Sequence, residues 1–151
     1  PVTDALIHAL GQLGESYDYL VLLQPTSPLR AASDIDGAIE TCHASGAPAC
    51  ISVCEPAKSP YWMARLDDEG RMHPLLDWDG PHHRRQNLPP VVTPNGAVYV
   101  ARVPWLTQQR SFSSPETRAY IMPPERSLDI DTALDLRLVE ALLQEPIEIE
   151  E

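Results

Sequence analysis

The sequence predicts a three-layer α/β fold built on a mostly parallel sheet, and three observations predict it. First, Tyr19-Leu20-Val21-Leu22-Leu23 is apolar at every position. A run without alternation suits a strand buried on both faces, as strands of parallel sheets are. Secondly, the segments around it repeat apolar residues at helical spacing. Thirdly, the elements follow one another as helix, strand, helix, strand, an order that implies a parallel sheet with right-handed crossovers.

Element by element, Val2, Leu6, Ala9, Leu10 and Leu13 form a helical stripe that Gly14 stops. The buried strand follows the Glu15–Asp18 turn. The next segment, Gln24-Pro25-Thr26-Ser27-Pro28-Leu29-Arg30, contains two prolines and cannot continue a ladder. Ser33 with Asp36 reads as an N-terminal cap. Ile35, Ala38, Ile39 and Cys42 give that helix its buried stripe, and Gly46 closes it. Ala49 to Val53 is the second buried strand.

The pattern then changes. Met63 to Leu66, the turn Asp67-Asp68-Glu69-Gly70, and Arg71 to Leu76 suggest an exposed antiparallel hairpin. Asp77 to Pro94 is polar, rich in proline and without regular signal. Ala97-Val98-Tyr99-Val100 returns to the sheet, Pro104 opens a short helix, and Ala119-Tyr120-Ile121-Met122 is a further strand. Leu134, Leu138, Ala141 and Leu142 make an amphipathic helix ending before Pro146, and the tail Glu148 to Glu151 is acidic and solvated.

At 151 residues the chain is one domain's worth, and 43% hydrophobic content is enough for a core. It opens on Pro1 and enters a helical pattern at once, so an N-terminal part of the natural protein is expected outside it. A net charge of −11 argues against nucleic acid as the main partner, because phosphate backbones require clustered Lys and Arg. No stretch approaches the roughly 20 apolar residues of a membrane span, and no secretory signal is visible. Cys42, Cys50 and Cys54 are odd in number and form no CxxC pair, which suits a reducing cytoplasm.

Three segments carry unusual chemistry. Gln24–Arg30 follows the carboxyl end of a buried strand, the edge where open α/β sheets bind ligands. Its amide, hydroxyls and Arg30 could read a polar substrate; alternatively Thr26 and Ser27 cap the next helix. Arg84–Val100 contains Arg84 and Arg85, whose planar guanidiniums suit a carboxylate or phosphate, and the turn signal Asn95-Gly96. The alternative is a basic loop on an acidic surface. His82 and His83 point apart on an extended backbone and count as loop residues.

The third segment is Ser127–Leu136, SLDIDTALDL. Asp129 and Asp131 are two apart, so an extended backbone projects both carboxylates to one side. Two hard oxygen ligands fit Mg²⁺, which takes one or two protein carboxylates and completes its shell with phosphate oxygens and water. A second reading makes Asp131 or Thr132 the cap of the following helix, with Asp135 in its first turn.

Together, Leu22–Arg30 (LLQPTSPLR), Val92–Val100 (VTPNGAVYV) and Ser127–Leu136 resemble the N-acylneuraminate cytidylyltransferase family, in that order and spacing. The resemblance implies a Rossmann-like fold, homodimerisation through a protruding Met63–Pro94 segment, and transfer of CMP from CTP to a nine-carbon 2-keto sugar acid. It also implies that Asp129 and Asp131 bind the metal, while Arg85 and Asn95, ten residues apart, hold the sugar acid and Gln24 lines the same pocket. Chemistry of this kind needs alignment and charge neutralisation more than covalent help.

Two departures matter. The family's Gly- and Lys/Arg-containing loop that cradles the CTP phosphates has no counterpart in this chain. Trp62 stands two residues after Pro60, where some sialic-acid members carry Lys, so the sugar is open among neuraminic, legionaminic and pseudaminic acids. Two other readings are a non-catalytic sugar-binding and dimerisation fragment, and a haloacid-dehalogenase-type phosphatase suggested by Asp129-Ile130-Asp131-Thr132. The second fails because that motif should follow a buried strand near a domain's start, and here it follows Pro123-Pro124-Glu125-Arg126-Ser127.

Overall fold

The computed structural model describes residues 1–76 and 85–144, with Arg85 described by its backbone alone. The expectations for His82, His83, Arg84 and the acidic tail therefore lie outside the described residues. In chain order the elements are α1 (Val2–Gln12), β1 (Tyr19–Leu22), α2 (Ala32–Ser45), β2 (Ala49–Cys54), β3 (Ala64–Leu66), β4 (Met72–Pro74), β5 (Thr93–Arg102), α3 (Val103–Gln109), β6 (Arg118–Ile121) and α4 (Ala133–Gln144). The chain divides into two compact units, residues 55–93 and the remainder.

The larger unit is organised by a four-stranded sheet of order β1-β5-β2-β6. β2 and β6 are parallel, with Cys50 opposite Arg118 and Val53 opposite Ile121. β5 runs against β1, Tyr19 facing Arg102 and Leu22 facing Tyr99. Against β2 it also runs in reverse: the Arg102 amide donates to the Pro48 carbonyl at one end, and the Val98 amide to the Ser52 hydroxyl further along. Three strands thus share one direction and β5 opposes them.

Successive residues of these strands face opposite layers. Cys50, Val98, Val100, Tyr19 and Val21 pack with Ala38, Cys42, Ile35 and Ile39 of α2. Ala49, Ile51, Val53, Ala101, Leu20 and Leu22 pack with Leu6 of α1, Leu106 of α3 and Phe112. This two-sided burial is the reason the strands read as continuous apolar runs. Burying a side chain such as Val98 or Leu106 contributes about 1.5–3 kcal/mol.

Three local details were not foreseen in the sequence. α2 begins at Ala32, and the residue that closes its first turn is Asp34, whose Oδ2 accepts the Ala31 amide at 2.8 Å; Ser33 and Asp36 do not cap it. Gly37 lies under the Tyr120 ring, and a Cβ there would come within 2.5 Å of it. In α4 only Val139 is buried, while Leu134 and Leu138 are exposed, since no described element covers the stripe they form.

The smaller unit is a short antiparallel hairpin, Ala64 opposite Pro74 and Leu66 opposite Met72. Asp67 organises its turn. Oδ1 accepts the Glu69 and Arg71 amides at 3.0 and 2.9 Å, and Oδ2 bonds Arg71 Nε at 2.8 Å and His73 Nε2 at 2.9 Å. Bonds from His73 and Arg71 hold the Asp67 carboxyl down at about 2. Leu66 and Met72 are 71% and 72% exposed.

Candidate active site

The strand directions gather three connections at one edge of the sheet. Gln24–Arg30 leaves the carboxyl end of β1, and Ser127–Thr132 follows the carboxyl end of β6. Because β5 opposes them, its beginning, with Asn95 and Gly96, arrives at the same edge. This is the edge where open α/β sheets place their ligands.

Gly96 is the point of convergence. Its φ is +78°, in the left-handed region that suits glycine. A Cβ on it would stand 2.8 Å from Gln24 Oε1, 2.9 Å from Ser27 Oγ and 3.2 Å from Asp129 Oδ2. An amide oxygen and a hydroxyl from one segment and a carboxylate from another therefore face one small space beside Gly96. Ser27 is fully buried, and its hydroxyl donates to Asp129 Oδ1 at 3.2 Å or to the Asn95 carbonyl at 3.3 Å.

Arg30 serves the loop itself. Nη1 donates to the carbonyls of Gln24 and Ser27, both at 2.7 Å, which braces the two prolines' turn from inside. Neither Thr26 nor Ser27 caps α2, contrary to the alternative the sequence allowed. The Ile130 amide donates to the Thr26 carbonyl at 2.8 Å, joining this loop to the aspartate segment.

Asn95 is 5% exposed, and its amide is fully engaged within the protein. Oδ1 accepts from Ser52 Oγ at 2.6 Å and from the Ala97 amide at 3.2 Å. Nδ2 donates to Ser127 Oγ at 2.9 Å and to Met122 Sδ at 3.3 Å. An amide has two donors and two acceptor positions, so this geometry leaves none over for a substrate. Asn95 enters the site through Ser127, two residues before Asp129.

The two aspartates behave differently. Asp129 is half-buried and takes the Ser27 hydroxyl. Asp131 is exposed, and among the described residues its carboxylate makes no hydrogen bond. The helix cap that might have used it is supplied by Thr132 and Asp135. Asp135 Oδ2 accepts from the Thr132 amide and hydroxyl, both at 2.7 Å, and the Asp135 amide donates back to Thr132 Oγ1 at 3.3 Å. Those Thr132 bonds draw the Asp135 carboxyl below its ordinary value.

This donor set fits one hard divalent cation in its chemistry: two carboxylates, one of them without a hydrogen bond among the described residues, near the amide oxygen of Gln24 and the hydroxyl of Ser27. Among the described residues no cluster of three or more His, Cys, Asp or Glu could hold a metal unaided. An ion on Asp129 and Asp131 therefore needs further oxygens from a substrate or water, as Mg²⁺ commonly does. Gln24, Asn95, Asp129 and Asp131 lie on the larger unit; Arg85 lies in a 3-10 turn, Arg85–Asn87, of the smaller one. Sequence reasoning overlooked Ser52 and Ser127, whose hydroxyls give no periodic signal, and Asp34 and Arg126, which pair across 92 positions.

The fold defines a class. It is similar to a CMP:2-keto-3-deoxy-manno-octonic acid synthetase solved with CTP, at TM-score 0.63 and 15% identity over 97% of this chain and 69% of that one. It is equally similar, at TM-score 0.63 and 11% identity, to a 4-diphosphocytidyl-2C-methyl-D-erythritol synthase from Anaerococcus prevotii, over 96% of this chain and 67% of the other. The molecule thus shares the Rossmann-like α/β fold of these two structures.

Sequence similarity narrows the class. The chain is 36% identical over 121 residues to an N-acylneuraminate cytidylyltransferase of Streptococcus agalactiae serotype V, covering 80% of this chain and 29% of that protein. It is 30% identical over 141 residues to a CMP-N,N'-diacetyllegionaminic acid synthase of Legionella pneumophila, covering 92% and 60%. The chain is similar in sequence to these two proteins and spans less than two thirds of either one's length. No family model matches it.

Proposed function

We propose that this chain is the acceptor- and metal-binding part of a cytoplasmic cytidylyltransferase that joins CMP to a nonulosonic acid. The anomeric hydroxyl of the sugar acid bonds to the α-phosphorus of CTP. The α–β phosphoanhydride bond breaks, pyrophosphate leaves with the electron pair, and the hydroxyl proton passes to solvent. The observation that carries this reading is the pair Asp129 and Asp131: Thr132 and Asp135 take over the helix cap, and the Asp131 carboxylate stays available.

Asp129 and Asp131 would hold Mg²⁺. When bound, it supplies charge neutralisation at the triphosphate and lowers the pKa of a neighbouring hydroxyl. The protein's own contribution is orientation. Gln24 presents an amide oxygen towards Gly96 and can accept a sugar hydroxyl. Ser27 steers Asp129, and Asn95 steers Ser127. The resemblance gives Arg85 the sugar carboxylate, for which a guanidinium fork is a matched partner.

Pairing of two copies belongs to the same proposal. A lone hairpin is marginal in water, and Trp62, Met63, Leu66 and Met72 of the smaller unit are exposed apolar surface that a second copy could cover. No helix of the described residues is long and apolar enough to cross a membrane.

The test separates metal ligand from helix cap within two adjacent residues. In the complete gene product, Asp131→Asn keeps shape and loses charge. It should lower Mg²⁺-dependent turnover by about a hundredfold or more, with an unchanged melting temperature. Thr132→Ala should do the reverse, costing about 1 kcal/mol of stability at near-normal turnover. Full turnover by Asp131→Asn at ordinary Mg²⁺ would remove the metal assignment.

A further inference from the structure

The only fully buried carboxylate among the described residues closes the first turn of α2 but has so far no part in the site. Asp34 is 0% exposed, at the start of α2. Its partner is Arg126, which binds it through two arms: Nε donates to Oδ2 at 3.0 Å and Nη2 to Oδ1 at 2.9 Å. Oδ2 also accepts the Ala31 amide at 2.8 Å, and the Tyr120 hydroxyl lies 3.5 Å from Oδ1. Burial alone would raise this carboxyl; the Arg126 and Ala31 bonds outweigh it and hold the group charged.

The pair's place in the chain gives it its meaning. Asp34 ends the connection that carries Gln24 and Ser27, four residues after the bracing Arg30. Arg126 stands three residues before Asp129. From there the aspartate segment is tied down in sequence: Arg126 to Asp34, Ser127 to Asn95, Asp129 to Ser27, and Ile130 to the Thr26 carbonyl. The last three ties are single neutral donors or a single bond to a carboxylate. The first is a two-armed charged bond, the geometry that resists rotation as well as displacement. Only the carboxylate is buried, for Arg126 is 37% exposed, and an ion pair with one arm in solvent adds little stability. What it supplies is a fixed direction.

We propose that the Asp34–Arg126 pair is a positioning device that sets Asp129 and Asp131 for divalent cation, and that it is more than a clamp between α2 and the turn Pro124–Arg126 after β6. This inference rests on the metal role given above to Asp129 and Asp131. Neither Asp34 nor Arg126 touches substrate in it; both act through the segment Ser127–Asp131.

The experiment measures binding of Mn²⁺, as a probe for the divalent site, to the complete gene product with CTP present. Free Mn²⁺ is counted by electron paramagnetic resonance, and each variant's melting temperature is recorded beside it. Asp34→Asn should weaken Mn²⁺ binding by about ten- to a hundredfold, the range seen when residues orienting metal ligands are lost. Arg126→Lys, which keeps the charge and loses the second arm, should fall between it and the parent. Phe112→Leu, in the opposite layer, should lower the melting temperature and leave Mn²⁺ binding unchanged. Should Asp34→Asn not fold, Arg126→Lys decides alone. Lowered melting temperatures with parental Mn²⁺ binding would overturn the inference, leaving the pair a clamp. A parent protein that binds no Mn²⁺ with CTP overturns it together with the metal assignment. A parent that binds Mn²⁺, is weakened by Asp34→Asn and yet transfers no CMP upholds the inference and rejects the cytidylyl reading.

Discussion

At Gly96 a single missing Cβ lets three side chains meet. The left-handed φ costs a residue with a Cβ about 1–2 kcal/mol, and the added methyl would also displace Gln24, Ser27 or Asp129. Gly96→Ala should therefore leave the protein folded, since that cost is a fraction of a domain's stability. The kcat/KM should fall by about a hundredfold, the scale of a 1 Å misplacement in an active site. Near-parental kcat/KM in a folded Gly96→Ala protein would show that the three side chains do not act together. The aspartates, Gln24 and the Asn95-Gly96 turn were legible in the sequence because they sit in short runs whose spacing carries chemistry. That Asn95 spends its whole amide on Ser52, Ser127, Met122 and Ala97 was not legible. Ser52, Ser127 and Met122 lie 27 to 43 positions away, and nothing local marks them.

Among the elements, the hairpin β3–β4 depends most visibly on one ionised group. Asp67 accepts two amides, an arginine and a histidine, and its carboxyl is held at about 2 against an ordinary 3.8. A carboxyl lowered on folding stabilises the fold fully above its unfolded value, and that contribution disappears as pH falls towards the folded one. The turn should stay formed from neutral pH down to about 4 and open between there and about 2. The Glu69 and Arg71 amide shifts, followed by NMR through an acid titration, should share a midpoint near 2. A midpoint near 3.8 would mean that the turn holds without the charge. Turn and strands here were readable from Asp67 to Gly70 and the flanking apolar residues. The start of α2 was not: Ser33 resembles a cap, but Asp34 reaches back to Ala31 and begins the helix earlier. Asp34 also pairs with Arg126, 92 positions away, a contact that no local pattern marks.

For the whole molecule, the direction of β5 is what assembles the site. An apolar run such as Ala97–Val100 reads alike in either direction, so periodicity foretold the strand but not its opposition to β1. Only that reversal brings Asn95 and Gly96 to the edge where Gln24 and Asp129 stand. The proposed pairing of two copies belongs at this scale as well: sedimentation of the complete gene product should give a dimer at micromolar concentration, and a monomer would contradict it. All of these residues are proposed to serve transfer of CMP to a nonulosonic acid. The most direct test of this proposal is pyrophosphate release from CTP by the complete gene product, across N-acetylneuraminic, legionaminic and pseudaminic acids. Release should require both Mg²⁺ and one of these acids, and be matched mole for mole by a CMP-sugar. CTP left intact with every acid, or cleaved at the same rate without any, would contradict it.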